Sequence, residues 1–312
     1  MKKVFLLGRS GFVGQAFSRF LQQHDGDAIE VVPLTHPLLE DEHSLRQALR
    51  ETQPDWIVHL AAVSSVQQSF QDVRGTLEVN LLGTLNLLNA IRAEGFAGRL
   101  LYVSSGDVYG RVPIEELPIT EARLPRPLNP YSVSKLAAES LCYQFGQANN
   151  LDVVIVRPFN HIGAEQSRRF IIADLAGQIA EIKLGRHLPQ LMVGNIDVTR
   201  DFLDVDDVVR AYLALLEYGR TGVTYNVCSG KEHKIRDLLE KFRELAGLDA
   251  LPITIDPTRL RPAEQIRMRG CYDLLKKDTG WEPSIPLNDT LHKVFSFQLN
   301  SITQNSHESL SK

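Results

Sequence analysis

Two residues suited to proton transfer stand four positions apart in the stretch Asn-Pro-Tyr-Ser-Val-Ser-Lys, which ends at Lys135. If this stretch is helical, Tyr131 and Lys135 share one face, so the phenol and the ammonium point toward the same place. A free tyrosine has a pKa of about 10. A neighbouring positive charge favours the phenolate and brings proton transfer into reach near neutral pH. The pair therefore indicates an enzyme that acts on a carbonyl or an alcohol.

A glycine-rich turn near the amino terminus adds a second functional element. Gly8, Gly11 and Gly14 fall where a strand predicted over 4–7 meets a helix predicted over 14–23. Without Cβ atoms the backbone can approach a pyrophosphate, and the helix amino terminus offers unpaired N–H groups. The same spacing also suits a simple tight turn, but the strand and helix around it favour a dinucleotide site. The cofactor contacts predicted in this turn are Gly8, Arg9, Gly11, Phe12, Val13 and Gly14.

The end of the second predicted strand bears on which dinucleotide is bound. An acidic residue there would select the ribose hydroxyl of NAD, but residues 34–37 read Leu-Thr-His-Pro. No carboxylate at that point would repel a phosphate. Arg9 could pair with the 2′-phosphate of NADP, or it could equally be a solvated loop arginine. The sequence therefore predicts NADPH as the cofactor, with NADH as the open alternative.

Strand-like and helix-like segments alternate along the first half of the chain. Apolar runs such as 56–60 and 100–104 are separated by helical patterns that include 77–92 and 131–149. This alternation predicts an α/β fold, a doubly wound parallel sheet of the Rossmann type, followed by a smaller mixed α/β substrate lobe. The predicted division assigns 1–157, with a returning segment near 196–228, to a dinucleotide-binding domain, 158–195 and 229–300 to the substrate-binding lobe, and 301–312 to a disordered tail.

Composition argues against several classes of function. The 312 residues carry a net charge of −4 and no basic run, so no nucleic acid partner is predicted. No apolar segment approaches the roughly 20 residues needed to cross a bilayer, so no membrane association is predicted. Cys142, Cys228 and Cys271 are far apart, which indicates neither a disulfide framework nor a metal site. Such sparse cysteine usage favours a cytoplasmic protein.

Separate motifs along the chain together resemble a known family. Besides the glycine-rich turn and the tyrosine–lysine pair, Ser105 lies in Ser-Ser-Gly-Asp-Val-Tyr-Gly after the fourth predicted strand, and His59-Leu60-Ala61-Ala62 follows the third. With these motifs in order, the chain is similar to the extended short-chain dehydrogenases/reductases that act on nucleotide sugars. The resemblance covers nearly the whole chain.

The resemblance implies a role for each of these residues. Ser105 would hydrogen-bond the reacting oxygen, and Tyr131 would move its proton. Lys135 would hold the nicotinamide ribose and lower the pKa of the tyrosine. Asn80, in Val-Asn-Leu-Leu-Gly-Thr, matches the family asparagine near the cofactor. The implied cofactor contacts beyond the glycine-rich turn are Leu60, Ala61, Ala62, Asn80, Tyr131 and Lys135.

The carboxy-terminal half resembles the GDP-mannose branch of that family, through motifs within 156–163, 200–212 and 259–264. Arginines that approach the diphosphate and a carboxylate that accepts from ribose hydroxyls are sensible chemistry, because guanidinium suits phosphate and carboxylate suits a diol. Arg200 could instead pair with Asp201 or Asp204, and the arginine and glutamate of the last motif could pair with each other. The implied substrate contacts are Ser105, Asn160, Arg200, Arg261 and Glu264.

The resemblance also separates the reactions of the branch. The 4,6-dehydratases carry Thr-Asp-Glu where this chain reads Ser105-Gly106-Asp107, so Gly106 lacks the acid that would protonate a departing hydroxyl. The implied reaction is NAD(P)H-dependent reduction of the 4-keto group of GDP-4-dehydro-6-deoxy-D-mannose to GDP-D-rhamnose. The alternatives are reduction to the C4 epimer GDP-6-deoxy-D-talose, a nucleotide-sugar 4-epimerase that retains NAD, and a non-enzymatic dinucleotide-sensing protein. The family also implies a homodimer formed through the helices over 80–94 and 131–149.

Overall fold

The computed structural model describes residues 1–24, 28–32, 41–260 and 265–310. The strands are β1 Lys2–Leu7, β2 Ile29–Val31, β3 Trp56–His59, β4 Arg99–Val103, β5 Asp152–Pro158, β6 Asn160–Ile162, β7 Leu191–Val193, β8 Thr199–Asp204, β9 Thr224–Val227, β10 Glu232–Lys234 and β11 Ile253–Ile255. The helices are α1 Phe12–His24, α2 Glu42–Thr52, α3 Val66–Gln71, α4 Val73–Leu77, α5 Gly83–Ala93, α6 Pro130–Asn149, α7 Ile171–Lys183, α8 Val205–Tyr218, α9 Ile235–Ala246, α10 Asp273–Thr279 and α11 Leu287–Leu310. A π turn spans Glu78–Leu82, and 3₁₀ turns span Gly106–Tyr109, Ile114–Glu116 and Pro257–Arg259.

Six strands form the main sheet in the order β2-β1-β3-β4-β5-β9, and every pairing in it is parallel. In the register of the strands, Leu7 lies opposite His59, and His59 lies opposite Tyr102. The carboxyl ends of β1, β3 and β4 therefore meet at one edge. The strand order reverses between β1 and β3, which is where doubly wound sheets bind their ligands.

Alternate side chains of the central strands build two separate apolar layers, because successive residues of a strand point to opposite faces. Leu101 and Val103 pack in a layer with α1 and α8, whereas Leu100 and Tyr102 pack in a layer with α2, α5 and α6. All four of these side chains are buried. A nearly continuous apolar strand is thus covered on both faces, and the predicted doubly wound parallel sheet is confirmed.

The second half of the chain adds two small sheets, the three-stranded β10-β8-β6 and the two-stranded β11-β7. Helices α7, α9 and α11 enclose a third apolar cluster beside them. The structure differs here from the predicted division of the chain. Within the segment 196–228, β8 pairs with β6 and β10 of the smaller part. Strand β9 pairs with β5 of the main sheet, α8 packs against that sheet, and Leu203 of β8 belongs to the same apolar layer.

The helix predicted over 77–92 is not continuous. Helix α4 ends at Leu77, and the π turn Glu78–Leu82 separates it from α5. Within this wider turn the carbonyl oxygen of Asn80 accepts a hydrogen bond from Thr84 Oγ1 at 2.7 Å. Single π turns inside helices often occur at functional sites, and this one carries a residue that the sequence placed beside the cofactor.

The last helix is longer than the sequence indicates. Helix α11 continues to Leu310, so helix replaces the disordered tail predicted from Ser301 as far as that residue. The polar composition of the segment concealed Ile302, which packs against the third apolar cluster and extends the helix beyond Ser301. None of the helices in the described parts of the chain is both long and apolar enough to cross a membrane.

Candidate active site

The loops at the carboxyl edge of the main sheet bring the glycine-rich turn against the loop after β3. Gly8 has a φ of 89°, and a Cβ added there would lie 2.7 Å from the backbone nitrogen of Ala61. Leu60 N donates to Leu7 O at 2.9 Å, and Gly11 N closes the turn by donating to Gly8 O at 3.0 Å. The backbone approaches this closely only because Gly8 has no side chain. The result is a bare cradle at the amino terminus of α1 that suits a pyrophosphate.

Gly14 and Arg9 belong to the same turn, one buried and the other exposed. Gly14 is buried, and a Cβ on it would collide with the carbonyl oxygen of Gly8. Arg9 is exposed beside the cradle. Residues 34–37, on which the prediction of NADPH also depended, lie outside the described residues.

Phe12, Val13 and Ala62 form the apolar border of the cradle. Phe12 lies parallel to the ring of His161, with ring centroids 6.2 Å apart, which joins the turn to β6. Val13 packs against the apolar layer of α1 and α8. Ala62 is partly buried in the loop after β3.

Asn80 links the loop after β3 to the helix that carries Tyr131. Its side chain is buried, with Oδ1 accepting from Val63 N at 2.8 Å and Nδ2 donating to Val63 O at 3.1 Å. Asn80 Nδ2 also donates to Ser134 Oγ at 2.9 Å, and Ser134 Oγ donates to Tyr131 O at 2.7 Å. One amide therefore fixes the loop after β3 relative to the first turn of α6.

Helix α6 has a well-defined start, which sets the direction of its side chains. Asn129 caps the helix, with Oδ1 accepting from Ser132 N at 2.8 Å, and Pro130 occupies the first helical turn. The register that follows places Tyr131 and Lys135 on one face, as the spacing predicted.

Ser105 follows β4 and meets the phenol of Tyr131. Ser105 Oγ accepts from Asp107 N at 3.1 Å and so caps the 3₁₀ turn Gly106–Tyr109. Burial raises the pKa of Tyr131 well above its usual range, the Asp107 carboxylate raises it further, and a hydrogen bond with the Ser105 hydroxyl opposes these effects. The structure thus keeps the phenol protonated, whereas the sequence predicted that Lys135 would lower its pKa. Loss of hydration is the dominant influence.

Lys135 is itself a buried charge, with a side chain only 3% exposed. Burial lowers the pKa of Lys135 to about 8, and the opposing influences are those of Cys142 and Glu139 on the same helix. The ammonium nitrogen lies 4.8 Å from the centroid of the Tyr102 ring, a cation–π contact that partly replaces water. At neutral pH the group is still positive and can stabilise a negative charge that forms beside it.

His59 at the end of β3 is buried and neutral. Burial, and secondarily the charge of Lys135, lower the pKa of His59 to about 3. Its Nε2 lies 3.0 Å from Thr84 Oγ1, whose own proton goes to the carbonyl oxygen of Asn80. His59 must therefore carry its proton on Nε2. The imidazole holds Thr84 and, through it, the π turn that presents Asn80.

Sequence reasoning missed the residues that hold the predicted ones in place. Thr84 stands four residues after Asn80, and Ser134 stands three after Tyr131, so each supports its neighbour across one helical turn. Glu139, four residues after Lys135, shares the same helical face. This spacing was the available signal, but each of these side chains also contacts a residue of another element: His59, Asn80 and Arg157 respectively.

Of the predicted substrate residues, Asn160 is exposed at the start of β6 and Arg200 is largely buried in β8, the strand beside it. Arg200 Nη1 donates to the carbonyl oxygens of Thr199 and Gln265, each at 2.8 Å. Arg261 and Glu264 lie outside the described residues. Gln265, which accepts this bond from Arg200, directly follows Glu264 in the chain.

The acidic residues near Arg200 have structural partners of their own. Asp201 accepts from the backbone nitrogens of Ser229 at 2.7 Å and Gly270 at 3.1 Å, so it joins β8 to two loops. Asp204 caps α8 by accepting from Asp206 N at 2.8 Å. In the described parts of the chain, no group of acidic, histidine or cysteine side chains is arranged to hold a metal ion.

The space around Gly106 limits the chemistry of the site. A Cβ on Gly106 would lie 3.2 Å from both Met268 Cε and Phe159 Cδ2, in a buried apolar cluster. A carboxylate at this position would be crowded and surrounded by apolar groups, and burying its charge there would cost free energy. A general acid for elimination at this position would therefore require Met268 and Phe159 to shift by a few tenths of an ångström.

Comparison with known proteins places the chain among nucleotide-sugar enzymes. The sequence profile of the family described as GDP-mannose 4,6 dehydratase matches residues 21–294. GDP-6-deoxy-D-mannose reductase of Pseudomonas aeruginosa is 49% identical over 296 residues, which cover 95% of this chain and 96% of the relative. GDP-mannose 4,6-dehydratase of Vibrio cholerae is 27% identical over 84% of this chain and 77% of the relative.

Solved structures give the same result for the fold. The structure of RMD from Pseudomonas aeruginosa complexed with NADPH superposes with a TM-score of 0.91 at 46% identity, covering 96% of this chain and all of that one. UDP-glucose 4-epimerase of Thermus thermophilus in complex with NAD superposes with a TM-score of 0.82 at 29% identity, covering 95% of this chain and 98% of that one.

The fold and the site define an extended short-chain dehydrogenase/reductase: a doubly wound sheet, a glycine cradle at its switch point, and a serine, tyrosine and lysine at the same edge. Within that class, the chain belongs to the GDP-mannose 4,6 dehydratase family.

The close approach at Gly8 predicts the effect of one added methyl group. Gly8→Ala should weaken NADPH binding at least about tenfold, or about 1.4 kcal/mol, because the Cβ would force the turn away from Ala61. The matched control is Gly95→Ala. Gly95 also has a positive φ, 63°, but no atom lies within 4 Å of the added Cβ. Fluorescence titration with NADPH would measure both variants, and equal affinities would contradict the assignment of the cradle.

Proposed function

We propose that this protein uses NADPH to reduce the 4-keto group of GDP-4-dehydro-6-deoxy-D-mannose, giving GDP-D-rhamnose. The observation that carries the proposal is the placement of Tyr131 beside Ser105, next to Gly106, where an added side chain would crowd Met268 and Phe159. The 49% identity to GDP-6-deoxy-D-mannose reductase of Pseudomonas aeruginosa supports the substrate. The similar structure of RMD complexed with NADPH supports the cofactor.

Ser105 and Tyr131 act on the same oxygen in this proposal. The hydroxyl of Ser105 hydrogen-bonds the C4 carbonyl oxygen, and Tyr131 donates its proton to that oxygen as the carbonyl becomes an alcohol. NADPH, when bound, supplies the hydride that C4 receives. The raised pKa of Tyr131 keeps its proton available until the sugar oxygen becomes basic. The ammonium of Lys135 then stabilises the phenolate that remains.

The cofactor and substrate contacts of this proposal come from different parts of the chain. Arg9 pairs with the 2′-phosphate, and Lys135 holds the nicotinamide ribose. The residues proposed to line the cofactor are Gly8, Arg9, Gly11, Phe12, Val13, Gly14, Leu60, Ala61, Ala62, Asn80, Tyr131 and Lys135. The residues proposed to bind the sugar nucleotide are Ser105, Asn160, Arg200, Arg261 and Glu264.

The assembly and the setting are also part of the proposal. The main sheet with its helices forms the dinucleotide-binding domain, and the smaller sheets with α7, α9 and α11 form the substrate lobe. The protein acts in the cytoplasm, which agrees with the free thiols of Cys142, Cys228 and Cys271. Two copies associate through the helices over 80–94 and 131–149.

The direct test of the reaction uses the keto sugar itself. Freshly generated GDP-4-dehydro-6-deoxy-D-mannose is incubated with the protein and NADPH, oxidation of the cofactor is followed by absorbance, and the product is identified by NMR. GDP-D-rhamnose is the expected product. GDP-6-deoxy-D-talose as the product would show that the hydride adds to the other face of C4. Nicotinamide that stays bound through gel filtration, without net consumption, would instead identify a 4-epimerase.

Exposed apolar side chains on the two helical segments support the proposed dimer. Leu82 is 49% exposed and Val133 is 45% exposed, and Val133 borders a shallow surface pocket of about 340 Å³. In a twofold interface each substitution acts twice, so Val133→Glu should give a monomer. Light scattering during gel filtration should show twice the 35.0 kDa chain mass for the wild type. The control Leu188→Glu alters an equally apolar, 74% exposed site elsewhere and should stay dimeric.

Removal of one hydroxyl tests the role of Tyr131. Tyr131→Phe should lower turnover by about 10²–10⁴, with only a modest change in NADPH affinity, because the proton donor is lost and the ring is kept. Tyr143→Phe is the control on the same helix, where the ring is 53% exposed and remote from Ser105. Steady-state kinetics and NADPH titration measure both effects. Near-normal turnover of Tyr131→Phe would show that another group donates the proton.

A further inference from the structure

A buried ion pair lies directly behind Lys135. Glu139 stands four residues after Lys135 and eight after Tyr131, so all three share one face of α6. Its carboxylate meets Arg157 of β5 in a two-point contact, with Arg157 Nε 3.0 Å from Oε1 and Nη2 2.6 Å from Oε2. The side chains are 6% and 8% exposed. The helix of the tyrosine–lysine pair is thereby tied to β5 of the main sheet.

The same guanidinium reaches the element that carries Ser105. Arg157 lies over the ring of Tyr109, 4.9 Å from its centroid. Tyr109 ends the 3₁₀ turn that Ser105 caps, and its hydroxyl donates to Asn226 Oδ1 at 2.7 Å. Arg157 therefore contacts both supports of the site: α6 through Glu139, and the turn after β4 through Tyr109.

Stability alone is a weak explanation for such a pair. Taking two charges out of water costs free energy that their attraction often does not recover, and apolar residues of similar volume are frequently as stable. The chain also holds a comparable ion pair at the other end of β5. Arg99 Nε pairs with Asp152 Oδ2 at 2.9 Å, but those side chains are 15% and 35% exposed. A fully buried pair at the active-site end points to a task beyond joining strands.

We propose that Glu139 and Arg157 are positioning residues that hold Lys135 and Tyr131 in register with Ser105 and balance the charge around Lys135. The kinetic consequences rest on the proposed function, whereas the electrostatic consequence can be measured on the protein without substrate.

The direction of the electrostatic effect follows from the groups that face Lys135. His59 of β3 is neutral, Tyr102 of β4 presents its ring, and Cys142 and Glu139 come from α6 itself. Among these, Glu139 is the carboxylate, and it opposes the lowering of the Lys135 pKa by burial.

The positive charge of Arg157 lies on the far side of the Glu139 carboxylate. It partly offsets the effect of that carboxylate on the pKa of Lys135. Removing the charge of Glu139 should therefore lower the pKa of Lys135, and removing the charge of Arg157 should raise it. Glu121 and Tyr109 also lie within electrostatic range of Arg157 and remain unchanged in both variants.

The test is a pH titration of Lys135 by NMR. Protein labelled with ¹³C-lysine is prepared as wild type, Glu139→Gln, Arg157→Gln and Arg99→Gln, and Lys135→Arg assigns the Cε signal. The expected shifts are at least about 0.5 pH unit downward for Glu139→Gln and upward for Arg157→Gln. Arg99→Gln should destabilise the fold without moving this titration. Glu139→Gln keeps the shape of the side chain and one acceptor oxygen. If Arg157→Gln does not fold, the Lys135 titration in Glu139→Gln alone tests the proposal.

Steady-state kinetics supply the second readout. Glu139→Gln should lower kcat by about 10- to 100-fold, with little change in the KM for either substrate, because the reacting groups lose alignment rather than binding contacts. The alkaline limb of its pH profile should move to lower pH. An unmoved Lys135 titration with a normal kcat would overturn the proposal. A wild type that leaves the keto sugar untouched would overturn the proposed function, while the titration would still decide the role of the pair.

Discussion

The burial of Lys135 is the constraint on which the rest of the site depends. An ammonium this far from water is costly, and the groups around it, the Tyr102 ring and the Glu139 carboxylate, compensate only part of that cost. The same dry environment raises the pKa of Tyr131. Both pKa shifts arise because the environment disfavours charge. The proton therefore stays on the phenol until a more basic oxygen takes it. A site of this kind suits proton donation to a reduced carbonyl.

Buried side chains and backbone contacts of the surrounding elements keep these groups in place. Asn129 starts α6 in one register, and Asn80 fixes that helix to the loop after β3. Gly8 brings the cofactor turn against the same loop because it has no Cβ. Backbone contacts and buried amides therefore set the spacing between the dinucleotide cradle and the phenol, on which hydride transfer and proton transfer jointly depend.

Much of this arrangement could be predicted from the sequence, because local patterns carry it. The alternation of strands and helices predicted the doubly wound sheet, and the spacing of Tyr131 and Lys135 placed both on one helical face. Contacts between distant segments could not be predicted. The pairing of Glu139 with Arg157 and the bond from Asn80 to Ser134 depend on how α6 packs, which no local period encodes.

Two further differences have similar causes. The π turn Glu78–Leu82 interrupts a pattern that looks continuously helical, and the side chain of Asn80 in that turn bonds to Val63 and Ser134, which are distant in sequence. The pKa of Tyr131 is set more by burial than by its neighbour, and burial depends on the whole fold.

The central claim is that the hydride goes to C4 of the sugar while Tyr131 supplies the proton. The most direct measurement uses NADPH deuterated at the transferred position with GDP-4-dehydro-6-deoxy-D-mannose, followed by NMR of the product. We predict one deuterium at C4 of GDP-D-rhamnose and none elsewhere. Deuterium at another carbon, or a product with no deuterium, would contradict the account.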